Sequence, residues 1–216
     1  MDAKELIARR VAQELRDNTL VNLGIGLPTM VAHYVPEDML VAFQSENGII
    51  GFGSRPPDGM EDPNLTDAGG GFISALPGAY AFDSATSFAL IRGGHLDMTV
   101  LGGLQVDERG HLANWLVPGK MVAGMGGAMD LVAGARRVII AMQHAAKGEA
   151  KIVPELTLPP TAARPVSLVV TDLAVIEPTP EGLVLRERAP GVTIGDILAL
   201  TTAKLILPAN IPEMRL

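Results

Sequence analysis

Residues 43–53 read FQSENGIIGFG, and the reading of this stretch decides the fold. The apolar run at 40–43 ends abruptly in Ser45-Glu46-Asn47-Gly48. An apolar run of that length followed by small polar residues and glycine is a buried strand that turns sharply, and here a lone carboxylate, Glu46, stands at the turn. A turn glutamate beside a glycine has an ordinary explanation, as an exposed residue or one accepting hydrogen bonds from the turn's own amides. The other explanation is a nucleophilic acid at the mouth of a core strand. The rest of the chain bears on the choice.

Working outward, residues 2–16 read as a helix capped by Asp2, with Leu6, Ile7, Val11 and Leu15 on one face. Residues 19–23 form a short strand that ends in NLGIGLP, whose Pro28 suits the first turn of a helix running to Tyr34. Beyond the central stretch, 51–67 reads as a long Pro/Gly/Asp-rich loop, 69–71 as a glycine hinge and Leu76-Pro77-Gly78 as a turn. Asp83 or Ser84 caps a helix that Gly93-Gly94 stops. A third core strand at 98–101 ends in Gly102-Gly103, and 104–106 with 112–117 reads as a hairpin. Gly124 to Gly127 opens a helix towards Ala133, and a helix starting after paired glycines suits either close packing or an anion. Strands follow at 138–142 and 166–171, then a hairpin of 174–176 with 183–185, a helix at 194–200 capped by Thr193, and a last strand at 203–207. Strands alternating with helices, with hairpins inserted, give an α/β fold: one domain over 1–216 with a mixed, partly parallel sheet flanked by helices.

Composition narrows the function. Hydrophobic residues make up 48% of the chain and charged ones 19%, more apolar surface than a monomer comfortably covers, so a subunit of an oligomer is expected. A net charge of -7 without a Lys/Arg cluster argues against nucleic acid. The absence of cysteine excludes disulfides, a thiolate nucleophile and cysteine zinc sites. The charged, amphipathic N-terminal segment lacks the apolar core of a signal peptide and no run is long enough to span a bilayer, so a soluble, cytoplasmic protein is expected.

The four histidines, His33, His95, His111 and His144, lie far apart without metal-ligand spacing and read as turn or half-buried residues, so no metal is expected. GxSxG, GxGxxG and P-loop signatures are missing. What remains is an acid at a strand end with three glycine-rich turns, at 24–26, 102–103 and 124–127, that line one site if the sheet aligns its strand ends. A carboxylate is ionised at neutral pH and needs no general base to act as nucleophile.

On these motifs the chain resembles the B (β) subunit of the family I CoA-transferases: NLGIG at 22–26, QSENGIIGFG at 44–53, LPGA at 76–79, SFALIRGGHLD at 87–97, LGGLQVDERGHLANWLVPGKMV at 101–122 and GMGGAMDLV at 124–132. The resemblance implies the CoA-transferase or sugar-phosphate-isomerase-like fold group. It implies transfer of coenzyme A between an acyl-CoA and a short-chain carboxylate (acetate, acetoacetate, butyrate or another 3-oxoacid) through a glutamyl-CoA thioester on Glu46. It assigns Asn22, Gly26 and Gly127 to the substrate and oxyanion, and Gly102, Gly103, Met125 and Gly126 to CoA. It also implies a separate A (α) subunit in a heterotetramer, coenzyme A as substrate and no permanently bound cofactor. Two departures stand out. Gly70 occupies the place of a lysine found in succinate- and oxoadipate-type relatives, which leans towards a monocarboxylate, and Gln143 stands where AMEH is usual. The alternative is a sugar-phosphate isomerase-like enzyme or a non-catalytic ligand-sensing domain of the same fold group, with Glu46 outside any covalent chemistry.

Overall fold

The computed structural model describes residues 1–119 and 124–216; Lys120 and the Met121-Val122 end of the motif at 101–122 lie outside them. Helix α1 (Ala3–Ala12) starts as its sequence requires, with the Asp2 carboxylate accepting the Glu5 amide at 2.7 Å, and buries Ile7, Ala8 and Val11 completely. It stops at Ala12, short of the expected Arg16. Glu14 turns to meet Arg10 and Arg137, and Asn18, at φ 56, swings the chain into β1 (Thr19–Leu23). The segment after β1 is a 3-10 helix, Leu27–Tyr34, with Pro28 in its first turn.

The expected strand and turn around Glu46 are present as β2 (Val41–Ser45), but the residues read as loop and turn also pair. β3 (Ile49–Gly53) and β4 (Ser74–Ala81) run antiparallel beside β2, with Ile49 opposite Ala81 and Phe52 opposite Ala75. Glycine and proline hid these strands. β4 is the outermost strand of its sheet, the place where a proline such as Pro77 is tolerated. Gly48 turns the β2–β3 hairpin at φ 122, and a Cβ there would lie 2.0 Å from the carbonyl oxygen of Phe82.

The remaining elements follow in order: α2 (Ser84–Arg92), β5 (Met98–Leu101), β6 (Gln105–Asp107), β7 (Leu112–Ala113), α3 (Ala128–Gly134), β8 (Arg137–Ala141), β9 (Ala145–Ala146), β10 (Glu149–Ala150), β11 (Ile152–Val153), β12 (Leu168–Val170), β13 (Ala174–Thr179), β14 (Gly182–Arg188), α4 (Ile194–Ala199) and β15 (Leu205–Ile206). The expected hairpin at 104–117 is the short pair β6 and β7, extended on its other side by β11, with which β6 runs parallel.

Among the described residues the main sheet has the order β15-β14-β13-β12-β8-β5-β1-β2-β3-β4. Its central strands, β12, β8, β5, β1 and β2, are all parallel, and antiparallel hairpins flank them. One face packs on α1 and the 3-10 helix through Val21, Val31, Val100 and Ile139. The other packs on α2, α3 and the small sheet through Ile91, Leu101, Leu131 and Ile140. Parallel strands covered on both faces read as unbroken apolar runs, and Val138-Ile139-Ile140 and Leu168-Val169-Val170 do.

Two contacts hold α3 against α2. Arg92 pairs with Asp130 at 2.6 Å, and Gly134 lies so close to α2 that a Cβ would stand 2.1 Å from the carbonyl oxygen of Ile91. At the far side of the parallel strands, His144 is 1% exposed rather than half-buried, with Nδ1 2.9 Å from the Thr171 hydroxyl and Nε2 2.9 Å from that of Thr201. Burial pushes its pKa down to about 4, and the negative charge of Asp172 only partly opposes this.

Two outcomes are expected. Gly134→Ala should destabilise the protein by about 2 kcal/mol, the cost of overpacking a close helix contact, measured as a drop in the urea midpoint. His144 is neutral in the fold and protonated in the unfolded chain between about pH 4 and 6.5, so the unfolded state takes up the extra proton and stability falls with falling pH across that window. The loss should approach about 3 kcal/mol by pH 4. Urea unfolding from pH 7 to pH 5 should show this slope, and His144→Asn should flatten it.

Candidate active site

Because the central strands are parallel, their C-terminal ends meet along one edge of the sheet. β1 delivers Gly24-Ile25-Gly26 there, β2 delivers Glu46, and β5 delivers Gly102-Gly103. The chain leaves β1 towards β2 on one side and later returns to β5 on the other, so the strand order reverses at β1. Ligands of open α/β sheets bind in the crevice outside the strand ends at such a reversal.

Asn22 sits at this point, fully buried in β1 and opposite both Thr99 of β5 and Gln44 of β2 in register. Its Nδ2 donates to Glu46 Oε2 at 3.1 Å and to Gln44 Oε1 at 2.9 Å, with the Gln44 carbonyl oxygen also at 3.1 Å. Its Oδ1 accepts from the Thr99 hydroxyl at 3.3 Å, and Gln44 Nε2 donates to Ser87 Oγ of α2 at 2.8 Å. Glu46 itself is half-buried. Among the described residues, Oε2 is the Glu46 oxygen that accepts a side-chain hydrogen bond.

Gly127, buried at the N-terminus of α3, closes the other side. A Cβ on Gly127 would lie 3.4 Å from Glu46 Cγ and 3.4 Å from the Phe88 ring. The backbone at Gly127 therefore lies alongside the glutamate, at a distance where a Cβ would be in ordinary van der Waals contact with it. Asn22, Glu46 and Gly127, expected to share a site, stand together.

The other expected residues divide. Gly26 is exposed at φ 88 on the loop after β1 with open space in its Cβ direction, as is Gly126 at φ 52 beside the exposed Met125. Both loops leave room for a ligand. Gly102 has the same open Cβ direction, and its carbonyl oxygen accepts from Asn114 Nδ2. Gly103 has a packing reason of its own, since a Cβ would lie 2.8 Å from Ile140 and from Met142. Its carbonyl oxygen accepts from Lys151 Nζ at 2.6 Å, an ammonium that burial holds below the usual lysine range against the pull of Asp172.

The long loop after β3 is fastened to the hairpin that carries the acid. Ser45 Oγ accepts the Ala68 amide at 2.9 Å, and Asn47 Nδ2 donates to the Thr66 carbonyl at 2.6 Å. Gly70, at φ 78, tops this loop with its Cβ direction open. Sequence reasoning missed Gln44, Thr99, Ser87 and this fastening. The one available signal was polar residues interrupting otherwise apolar strands. Gln143 is exposed just past β8. Among the described residues no group of acids and histidines is arranged to hold a metal, and no helix is long and apolar enough to cross a membrane. A charged cleft at the N-terminal ends of β8 and β12 is taken up by its own ion pairs, with Arg10 gripping Glu187 through two 2.7 Å hydrogen bonds.

The chain is similar to known proteins along almost its whole length. The family model described as Coenzyme A transferase matches residues 4–200. The beta subunit of the acetate CoA-transferase of Escherichia coli (strain K12) is 56% identical over 100% of this chain and 99% of the relative. The B subunit of a probable succinyl-CoA:3-ketoacid coenzyme A transferase of Bacillus subtilis (strain 168) is 48% identical over 94% of each. A solved acyl-CoA transferase from Escherichia coli O157:H7 shares the fold with a TM-score of 0.77 at 23% identity, covering 99% of this chain and 43% of that one. The chain belongs to the coenzyme A transferase family.

Proposed function

We propose that this chain is the B subunit of a cytoplasmic enzyme that moves coenzyme A between an acyl-CoA and a short-chain monocarboxylate, with Glu46 as the nucleophile. The observation that carries the reading is the meeting of Asn22, Glu46 and Gly127 at the strand-end edge where the sheet reverses.

One Glu46 oxygen attacks the thioester carbonyl carbon and the C–S bond breaks, giving a mixed anhydride and CoA thiolate. The thiolate attacks the glutamyl carbonyl carbon, the anhydride C–O bond breaks, and the first acid leaves as its carboxylate. The enzyme now carries a glutamyl-CoA thioester. A second carboxylate reverses the two steps, so the kinetics are ping-pong. One thioester replaces another, so the reaction needs neither ATP nor a resident cofactor, and coenzyme A is a substrate. No proton is transferred, in keeping with the absence of a general base hydrogen-bonded to Glu46 among the described residues.

A carboxylate is a weak nucleophile in water, so the chemistry needs water excluded and amides aimed at the developing oxyanion. The Asn22 side chain and the Gly127 backbone are suited to that work. Glu46 is half-buried on an open edge, and a second polypeptide over that edge would complete the exclusion. Relatives named as beta or B subunits support a separate A subunit, which in this reading assembles with the chain as a heterotetramer. Gly70 adds no charge to the loop that passes Ile25 and is fastened to Ser45 and Asn47, which favours acetate, acetoacetate or butyrate over a dicarboxylate.

In the complex reconstituted with its A subunit, Glu46→Gln should lower transfer from acetoacetyl-CoA to acetate by about 10³-fold or more. An isomerase-like or sensing role for the chain predicts no such loss. Asn22→Ala should cost about 10²-fold in kcat, the size expected for losing one preorganised donor. Across a panel of acceptor acids, kcat/KM should be higher for acetate and butyrate than for succinate. Gly70→Lys should narrow that gap.

A further inference from the structure

The nucleophile touches Asn22, but Asn22 does not orient itself. A primary carboxamide is nearly symmetric in shape, and rotating it by 180° exchanges an N–H₂ for a carbonyl oxygen. Rotated, Asn22 would turn its carbonyl oxygen towards the Glu46 carboxylate, an acceptor against an anion. The Gln44 main-chain carbonyl oxygen, 3.1 Å from Asn22 Nδ2, can only accept and so favours the productive orientation, and the buried side chains around the amide reinforce it from two ends.

At one end Thr99, fully buried, donates its hydroxyl to Asn22 Oδ1 at 3.3 Å and satisfies the carbonyl end in the orientation that the Gln44 main-chain oxygen selects. At the other, Gln44, 1% exposed, gives its own N–H₂ to Ser87 Oγ at 2.8 Å. That leaves Gln44 Oε1 facing Asn22, where at 2.9 Å it can only receive an N–H. A rotated Asn22 would set oxygen against oxygen there as well. With one N–H of Asn22 taken by Gln44, the other is directed at Glu46 Oε2.

The series runs from the middle of β5, through β1 and β2, to the inward face of α2, with every member fully or almost fully buried. Buried amides and hydroxyls that lose a partner are costly, so the polarity of the whole series is set together.

We propose that Thr99, Gln44 and Ser87 are positioning residues of the transfer reaction: they hold the Asn22 carboxamide in the one orientation that presents an N–H to Glu46. The inference rests on Glu46 being the nucleophile. It assigns to three buried side chains that touch no substrate a role in the chemical step.

The test uses Thr99→Val, Thr99→Ser and Ser87→Ala in the reconstituted complex, with Glu46→Gln as reference. Thr99→Val keeps the shape and deletes the donor to Asn22. Ser87→Ala deletes the hydroxyl that partners the Gln44 N–H₂ at the opposite end. Each should lower kcat by about 10-fold while KM for the acyl-CoA stays within about twofold, because the loss is in alignment for reaction and not in ligand contact. Thr99→Ser, which restores the hydroxyl, should recover most of the rate. Urea midpoints and active-site titration separate this from unfolding, since a merely structural role lowers the fraction of active enzyme and leaves the rate per active site unchanged. Wild-type kcat per active site in both Thr99→Val and Ser87→Ala would overturn the proposal while leaving Glu46 as nucleophile. Full activity in Glu46→Gln would instead remove the reading on which it rests.

Discussion

A carboxamide with no water to turn to governs this site. Asn22 is fully buried where the sheet changes direction, and its two N–H bonds must end on protein oxygens. They end on Gln44 and on Glu46. Satisfying the interior and aiming the carboxylate are thus one requirement. The same hydrogen bonds that let β1, β2 and β5 pack together hold the glutamate at their exit. The parallel register makes this possible, since Asn22 faces Thr99 and Gln44 across adjacent strands and the residue two beyond Gln44 is the turn glutamate.

The surroundings of the glutamate are built by backbone approach as much as by side chains. Gly134 lets α3 settle on α2, and α3 carries Gly127 at its N-terminus against Glu46. Gly48 lets the hairpin turn at the contact with Phe82, and Ser45 and Asn47 tie the 66–71 loop to that hairpin. A shared fold does not fix a reaction; the groups around Glu46 do.

Much of this was legible in the sequence because the signals were local. An apolar run broken by Ser-Glu-Asn-Gly marked the strand, its sharp turn and its acid. Asp2, Asp83 and Thr193 marked three helix starts, and each accepts the amide three residues on. The buried parallel strands were legible as apolar runs. What was not legible depended on neighbours distant in the chain. β3 and β4 carry the glycine and proline of a loop, and only their place at a sheet edge makes these residues compatible with pairing. α1 ends at Ala12, and just beyond it Glu14 meets Arg137, 123 residues away. His144 reads like any polar residue after a strand until two threonines and the core enclose it. Gln44, Thr99 and Ser87 gain meaning only from being 2.8 to 3.3 Å from one another's partners.

The central claim is that Glu46 itself carries coenzyme A between the two halves of the reaction. The direct measurement is to incubate the reconstituted complex with acetoacetyl-CoA in the absence of acceptor acid, digest it, and weigh the peptide containing Glu46 by mass spectrometry, with and without borohydride. The account predicts a CoA adduct on that peptide that acetate discharges, and reduction of that one side chain to an alcohol by borohydride. An unmodified Glu46 peptide from a complex that turns over normally would contradict it.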